Sequence, residues 1–175
     1  MTLDTYGYLI TNKLFAASLF KQTLFPEGLG YEDIWILSRL FQHISKLAVL
    51  NEPLYYWNKQ NENSQSHGKF NSYMLDYFPV TDEFLRAAKK LKDIRLIRKI
   101  QRLRLNHICE FFKRMMLSNF NDVTVIKPMQ KELRRNSWMF LNFPVSLGTG
   151  FGICCAINFN LAKRILLMLW REDKY

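Results

Sequence analysis

Apolar positions recur along this chain with two different rhythms. Ile34, Leu37, Phe41, Ile44 and Ala48 return at three- and four-residue steps, which predicts a helix with one stripe turned to a core. Asp33 stands directly before that stripe, where its carboxylate can accept hydrogen bonds from first-turn amides and is favoured by the helix dipole. Leu47 to Leu50 and Leu54-Tyr-Tyr-Trp-Asn-Lys59 instead read as two short strands, the second rich in aromatics, parted by Asn51-Glu-Pro53. Tyr6 to Leu19 predicts a short helix, or a strand followed by a helix. Pro26, Gly28 and Gly30 mark a loop, as do the polar residues Gln60 to Asn71.

From Thr81 to Lys127 there is neither Gly nor Pro. Thr81 or Asp82 is the expected cap of a long helix whose stripe, Phe84, Ala88, Leu91, Ile94, Ile97, Ile100 and Leu103, drifts around the axis and continues through His107 to Leu117. Asn119-Phe-Asn-Asp122 reads as a break. Further helices are expected near Lys127 to Asn136 and from Asn158 to Arg171. Trp138 to Phe151 is expected to be loop, Gly148-Thr-Gly150-Phe-Gly152 included. Those glycines lack the spacing and the strand–turn–helix setting of a dinucleotide fingerprint. The expected fold is therefore α/β in the first part, followed by an all-helical C-terminal region, with the boundary near residue 80.

Charge sharpens that division. Residues 1–85 hold 6 basic and 9 acidic side chains, whereas residues 86–175 hold 19 and 6, so a net of −3 is joined to a net of +13. The whole chain, 175 residues with a formal charge of +10, invites an anionic partner. The apolar fraction of 49% and charged fraction of 23% are those of a globular protein and argue against disorder. Arg86, Lys89, Lys90, Lys92, Arg95, Arg98, Lys99, Arg102 and Arg104 face only Asp93 as an acidic neighbour within their run. Such a run is either a solvated helical face or a surface for an anionic membrane, through residues 86–104 and again through 158–171, where Lys163 and Arg164 lie among Leu161, Ile165 and Leu166. Nucleic acid is set aside, because no nucleic-acid-binding motif accompanies the charge.

Other chemistry is sparse. Cys109, Cys154 and Cys155 are an odd number, two of them adjacent, which is not a secreted disulfide framework and fits a reducing compartment. They make no metal-ligand spacing with His43, His67 or His107. No basic start followed by a long apolar run opens the sequence, so no signal peptide is expected there. The most apolar stretch, Ile153 to Trp170, is interrupted by Asn158, Asn160, Lys163 and Arg164 and is not a spanning helix.

One ordered series carries a family likeness. Asn12-Lys13-Leu14-Phe15, Phe25-Pro26-Glu27-Gly28, Tyr31-Glu32-Asp33, Asn51-Glu52-Pro53-Leu54-Tyr55-Tyr56-Trp57 and Asn63-Ser64 follow one another with compatible spacing. Over residues 8–78 the series resembles the acceptor-side half of family 2 glycosyltransferases of the bacterial capsular and exopolysaccharide type. The resemblance implies a partial GT-A-like α/β domain over 1–80, with the basic helical region over 81–175. It implies inverting transfer of a sugar from a nucleotide-sugar donor to a glycan or lipid-linked acceptor. Asp33 would be the base and Glu32 its neighbour, while Tyr31, Tyr56, Trp57, Lys59, Asn63 and Ser64 would bind substrate. An aromatic face stacks on a sugar ring, and Lys59 would offset charge on the leaving diphosphate. The location implied is cytoplasmic, at the inner face of the cell membrane.

The departures are equally specific. The family's nucleotide-binding strands and its Asp-x-Asp metal motif have no counterpart, and Ala16 and Ala17 replace residues that are usually basic. No cofactor is expected within this chain. The divalent metal, Mg or Mn, and the nucleotide-sugar belong to the complete enzyme. The chain thus looks like the C-terminal part of such an enzyme, from an internal start or a split gene, inactive without its nucleotide-binding half. An apolar patch is expected to be left exposed where that half would pack. The alternative is a non-catalytic basic helical protein that binds a membrane surface or another anionic partner.

Overall fold

A computed structural model describes residues 9–21, 23–56, 58, 60, 69–140 and 147–172. These form six α-helices: α1 (Glu32–Leu40), α2 (Tyr77–Lys90), α3 (Ile94–Leu117), α4 (Val123–Asn136), α5 (Leu147–Ile157) and α6 (Phe159–Glu172). Short 3-10 turns lie at Ala17–Lys21, Ser72–Asp76 and Ser137–Phe140. The chain divides into two compact units, Met1–Ile100 and Gln101–Tyr175, and α3 runs through the division.

Among the described residues there is no strand, which overturns the expected α/β, GT-A-like first part. Leu47 to Leu50 and Leu54 to Tyr56 are non-helical chain with exposed side chains. A strand is stabilised by the ladder and the same-face neighbours it packs on, not by its own composition. These two segments have aromatic and branched residues, yet no neighbouring strand among the described residues supplies a ladder.

In the first unit, α1 packs on α2, and the turn Ser72–Asp76 packs against the start of α2. Ile36, Leu37 and Leu40 are fully enclosed, covered by Ile10, Phe15, Leu19, Phe20, Trp35, Phe41 and Ile44. The helix is shorter than its stripe predicts: Ile44 still reaches the cluster from beyond the helix end, and Ala48 is exposed. Arg39 joins α1 to α2 through Glu83 at 2.5 Å, with its guanidinium 4.1 Å over the Trp35 ring.

The expected cap at Thr81 or Asp82 is also corrected. Helix α2 already begins at Tyr77, and the Thr81 hydroxyl donates back to the Tyr77 carbonyl at 2.7 Å. Pro79 lies in the first turn of α2, where a missing N–H leaves no intrahelical bond unmade. The long helix expected beyond it is in fact two. Lys92 adopts a left-handed φ of 53°, and the Asp93 amide reaches the Ala88 carbonyl at 3.3 Å, ending α2 in a Schellman turn. Asp93 then caps α3, accepting from the Leu96 amide at 3.0 Å. Drift of the apolar stripe marks this break: Leu91 and Ile94, which flank it, are both exposed.

The second unit is built of helices joined by short turns among its described residues. Asn119 at φ 55° ends α3 in the same manner, with the Phe120 amide donating to the Met115 carbonyl at 2.9 Å. Asp122 and Asn158 cap α4 and α6 through the Thr124 and Leu161 amides. The Asp122 carboxyl is held below its ordinary range by the Thr124 hydroxyl and amide. Phe111, Phe112, Met115, Leu133, Cys155 and Phe159 are buried, and the Phe112 and Phe159 rings meet edge-on at 5.2 Å. The stretch expected as a glycine loop instead enters α5, which packs on α4 and α6. Each helical glycine costs about 1 kcal/mol relative to alanine. Burial of Gly152, Cys155 and Ala156 between two neighbours outweighs that cost.

Two glycines in the loop before α1 differ in what they do. Gly28 has φ +68°, and a Cβ there would meet nothing within 4 Å. A Cβ on Gly30 would lie 2.8 Å from the Tyr73 carbonyl oxygen and 2.9 Å from its ring. Gly28→Ala is expected to lower stability by about 1 kcal/mol, from left-handed strain alone. Gly30→Ala is expected to cost about 2–3 kcal/mol, because backbone must move. Urea unfolding of the two variants checks this order, and equal losses would contradict the close approach.

Candidate functional site

The first turn of α1 holds the two carboxylates singled out by sequence. Gly30 is buried, and its amide donates to Asp76 Oδ2 at 2.9 Å. Tyr31 follows at φ 58°, ψ 36°, and its ring meets Tyr77 edge-on at 5.0 Å. That left-handed residue, without a side-chain cap, is the N-cap of the helix. Asp33, expected as the cap, therefore lies at the second position inside the helix, and its Oδ1 accepts from the Ile34 amide at 2.7 Å. Glu32 beside it is exposed.

A third residue joins them from the N-terminal block. The Lys13 ammonium donates to Asn12 Oδ1 at 2.8 Å and to the Leu9 carbonyl. Lys13 and Asp33 lie close enough for their charges to act on one another. Burial lowers the Lys13 pKa, and the Asp33 charge works against that shift. Burial pushes the Asp33 carboxyl up to about 6; the Glu32 charge adds to the rise, while the Ile34 amide and Lys13 oppose it. Lys13 was not among the residues the sequence marks as substrate-binding. Its one signal is membership of the same ordered series as Glu32-Asp33.

The remaining candidates divide in two. Tyr56 is 87% exposed and Tyr55 also stands exposed, so neither is a core aromatic. No hydrogen bond or ring contact between Tyr56 and the start of α1 is present among the described contacts. Trp57, Lys59, Asn63 and Ser64 lie outside the described residues. Leu14, Leu24, Leu47, Val49, Leu50 and Leu54 stand exposed in the same unit. The basic run over 86–104 is spread over α2, a turn and α3. Arg104 within it is buried against Glu132, with N–O distances of 2.5 and 3.2 Å.

Among the described residues, no group of three or more His, Cys, Asp or Glu could hold a metal ion. Glu32 and Asp33 alone do not fit a divalent cation, which needs more oxygen donors than two adjacent side chains offer. Burial pushes the Cys109 thiol up to about 12 and raises Cys155 as well, which keeps both as thiols. His107 is lowered by burial and bonds the Leu103 carbonyl at 3.0 Å, a packed side chain of α3.

What the first turn of α1 offers chemically is one half-buried carboxylate that gains its proton near pH 6, flanked by a second carboxylate and an ammonium. Such a group takes up a proton from a hydroxyl at neutral pH. Comparisons with protein-family models, with curated proteins and with solved structures give no match.

Folded Asp33 keeps its proton to about pH 6, whereas the unfolded chain releases it near 3.8. Folding therefore takes up a proton between those values, and stability falls as pH rises from about 4 to about 6 and stays lower above that. Asp33→Asn does not titrate. It is expected to be more stable than the parent at pH 7.5, by up to about 3 kcal/mol, with the difference vanishing near pH 4. Thermal unfolding of the pair across pH checks this, and equal stability at both ends would contradict a buried charge at Asp33.

Proposed function

We propose that this chain supplies the acceptor-side part of an inverting glycosyltransferase similar to family 2, with Asp33 as general base. The reading rests on the surroundings of Asp33: a carboxylate buried enough to titrate near neutrality, at a helix start, within electrostatic reach of Lys13. The ordered series from Asn12 to Ser64 supports it as well. In the step, an Asp33 carboxylate oxygen takes the proton of an acceptor hydroxyl. The hydroxyl oxygen attacks the anomeric carbon of the donor sugar, and the bond from that carbon to the nucleotide diphosphate breaks with inversion. Asp33 then returns its proton to water. Glu32 adds negative charge that keeps the Asp33 pKa up. Tyr31 and Tyr56, with Trp57, Lys59, Asn63 and Ser64, belong to the substrate side of the proposal.

The donor site is not part of it. The residues for nucleotide and divalent metal come from outside this sequence, and no sugar transfer is expected from the chain alone. The proposal concerns a site and not a sheet. Exposed Leu14, Leu24, Val49, Leu50 and Leu54 give a nucleotide-binding half apolar side chains to cover. The acceptor is a glycan or a lipid-linked glycan, which puts the protein in the cytoplasm, at the inner face of the cell membrane. No helix among the described residues is long and apolar enough to cross a membrane.

The test is transfer from a nucleotide-sugar after the chain is combined with a family 2 nucleotide-binding half. Activity should rise with pH through about 6 and level off above. Asp33→Asn should lower kcat by roughly 10²–10⁴-fold while keeping its circular dichroism. Full activity in that variant would refute the base, and activity of the chain without the added half would refute the division of labour.

A further inference from the structure

Helix α6 has apolar side chains on two opposite sides. Phe159 and Ala162 are buried and make its inner face. At about 100° per residue, Leu161, Ile165 and Met168 fall on the side away from Phe159, and all three are exposed. A helix that rests on a core gains from a polar outer face, and here the outer stripe is apolar. Asn160 and Arg164, both exposed, border it on one side, and Lys163 lies half-buried nearer the core.

The charge around that stripe selects its occupant. Residues 101–175 carry 12 Lys and Arg against 5 Asp and Glu, a net of +7. A second copy would bring the same positive charge to the contact, which like-charge repulsion opposes. An anionic lipid surface is complementary in both respects: it accepts apolar side chains at the acyl boundary and pairs its phosphates with cations. The helix spans 14 residues, too short to cross a bilayer, so its length suits lying on one.

We propose that the outer face of α6 docks on an anionic bilayer, with Leu161, Ile165 and Met168 entering the headgroup–acyl boundary and Arg164 meeting lipid phosphates. This stands apart from the transferase proposal, since no sugar transfer enters its readout. It also narrows the membrane surface expected from sequence to one helix.

The experiment is co-sedimentation of the full chain with vesicles of phosphatidylcholine, alone or with about 30% phosphatidylglycerol, at about 0.1 M and about 0.5 M salt. Binding is expected to be at least about tenfold tighter to the anionic vesicles at low salt and to weaken at high salt. Leu161→Gln, Ile165→Gln and Met168→Gln together should reduce it about tenfold or more, and Arg164→Glu about threefold to tenfold. All four positions are exposed, and circular dichroism verifies the fold. Unreduced binding by the triple variant, or no binding at low salt, overturns the proposal. So does self-association or capture by an acidic protein that the triple variant abolishes without any vesicle binding.

Discussion

A single close approach sets where the first unit can present its carboxylates. Gly30 lies against Tyr73 with no space for a Cβ, and its amide donates to the Asp76 carboxylate. The chain between them is long, so closing that loop has an entropic cost that the contact must offset. The ring contact of Tyr31 with Tyr77 and the Arg39–Glu83 pair lie on the same α1–α2 interface. No ladder among the described residues holds this unit; the Gly30–Asp76 hydrogen bond and the Tyr31–Tyr77 ring pair act at the start of α1, and the Arg39–Glu83 pair acts at its end. A larger residue at position 30 would push the turn from Tyr73, and Tyr31 could no longer enter its left-handed conformation in the same place. Glu32 and Asp33 would move with it.

Much of α1 was legible, because a three- and four-residue rhythm needs no partner to be recognised. The same holds for the break at Asn119–Asp122 and for α6, whose cap Asn158 stands where the pattern begins. The role of Gly30 was not legible, since it depends on Tyr73 and Asp76 and only folding brings them near. Lys13 was hidden for the same reason: its nearness to Asp33 is a tertiary fact. Two errors have a common cause. The aromatic segment near Tyr55 read as a strand and the glycine stretch near Gly150 read as a loop, each on local preference alone. Packing decided both: among the described residues the first has no ladder, and the second has two helices to pack on.

Net charge, too, is an incomplete guide until side chains are placed. Arg104 belongs by sequence to the most basic run, yet it is buried in a two-point ion pair with Glu132. Arg134 donates to the Ala156 carbonyl at 2.5 Å, and Gln130 to the Cys155 carbonyl at 2.9 Å, so polar side chains of α4 satisfy the C-terminal end of α5. Part of the positive charge therefore holds helices together and is not available to a partner. What is left for recognition is set by which faces stay open, and on α6 the open face is apolar with Arg164 at its border.

Asp33 brings stability and chemistry into opposition. Burying a carboxylate raises its pKa because the charged form loses water, and the same loss weakens the fold at neutral pH. Glu32 and Lys13 pull in opposite directions on it, so neither neighbour alone sets the outcome. A purely structural position would be better served by Asn, which keeps a side-chain acceptor for the Ile34 amide and carries no charge to bury. That replacement cannot take a proton at pH 7. In the proposed role of base, the pKa near 6 that weakens the fold at neutral pH is the same property that proton uptake at Asp33 requires.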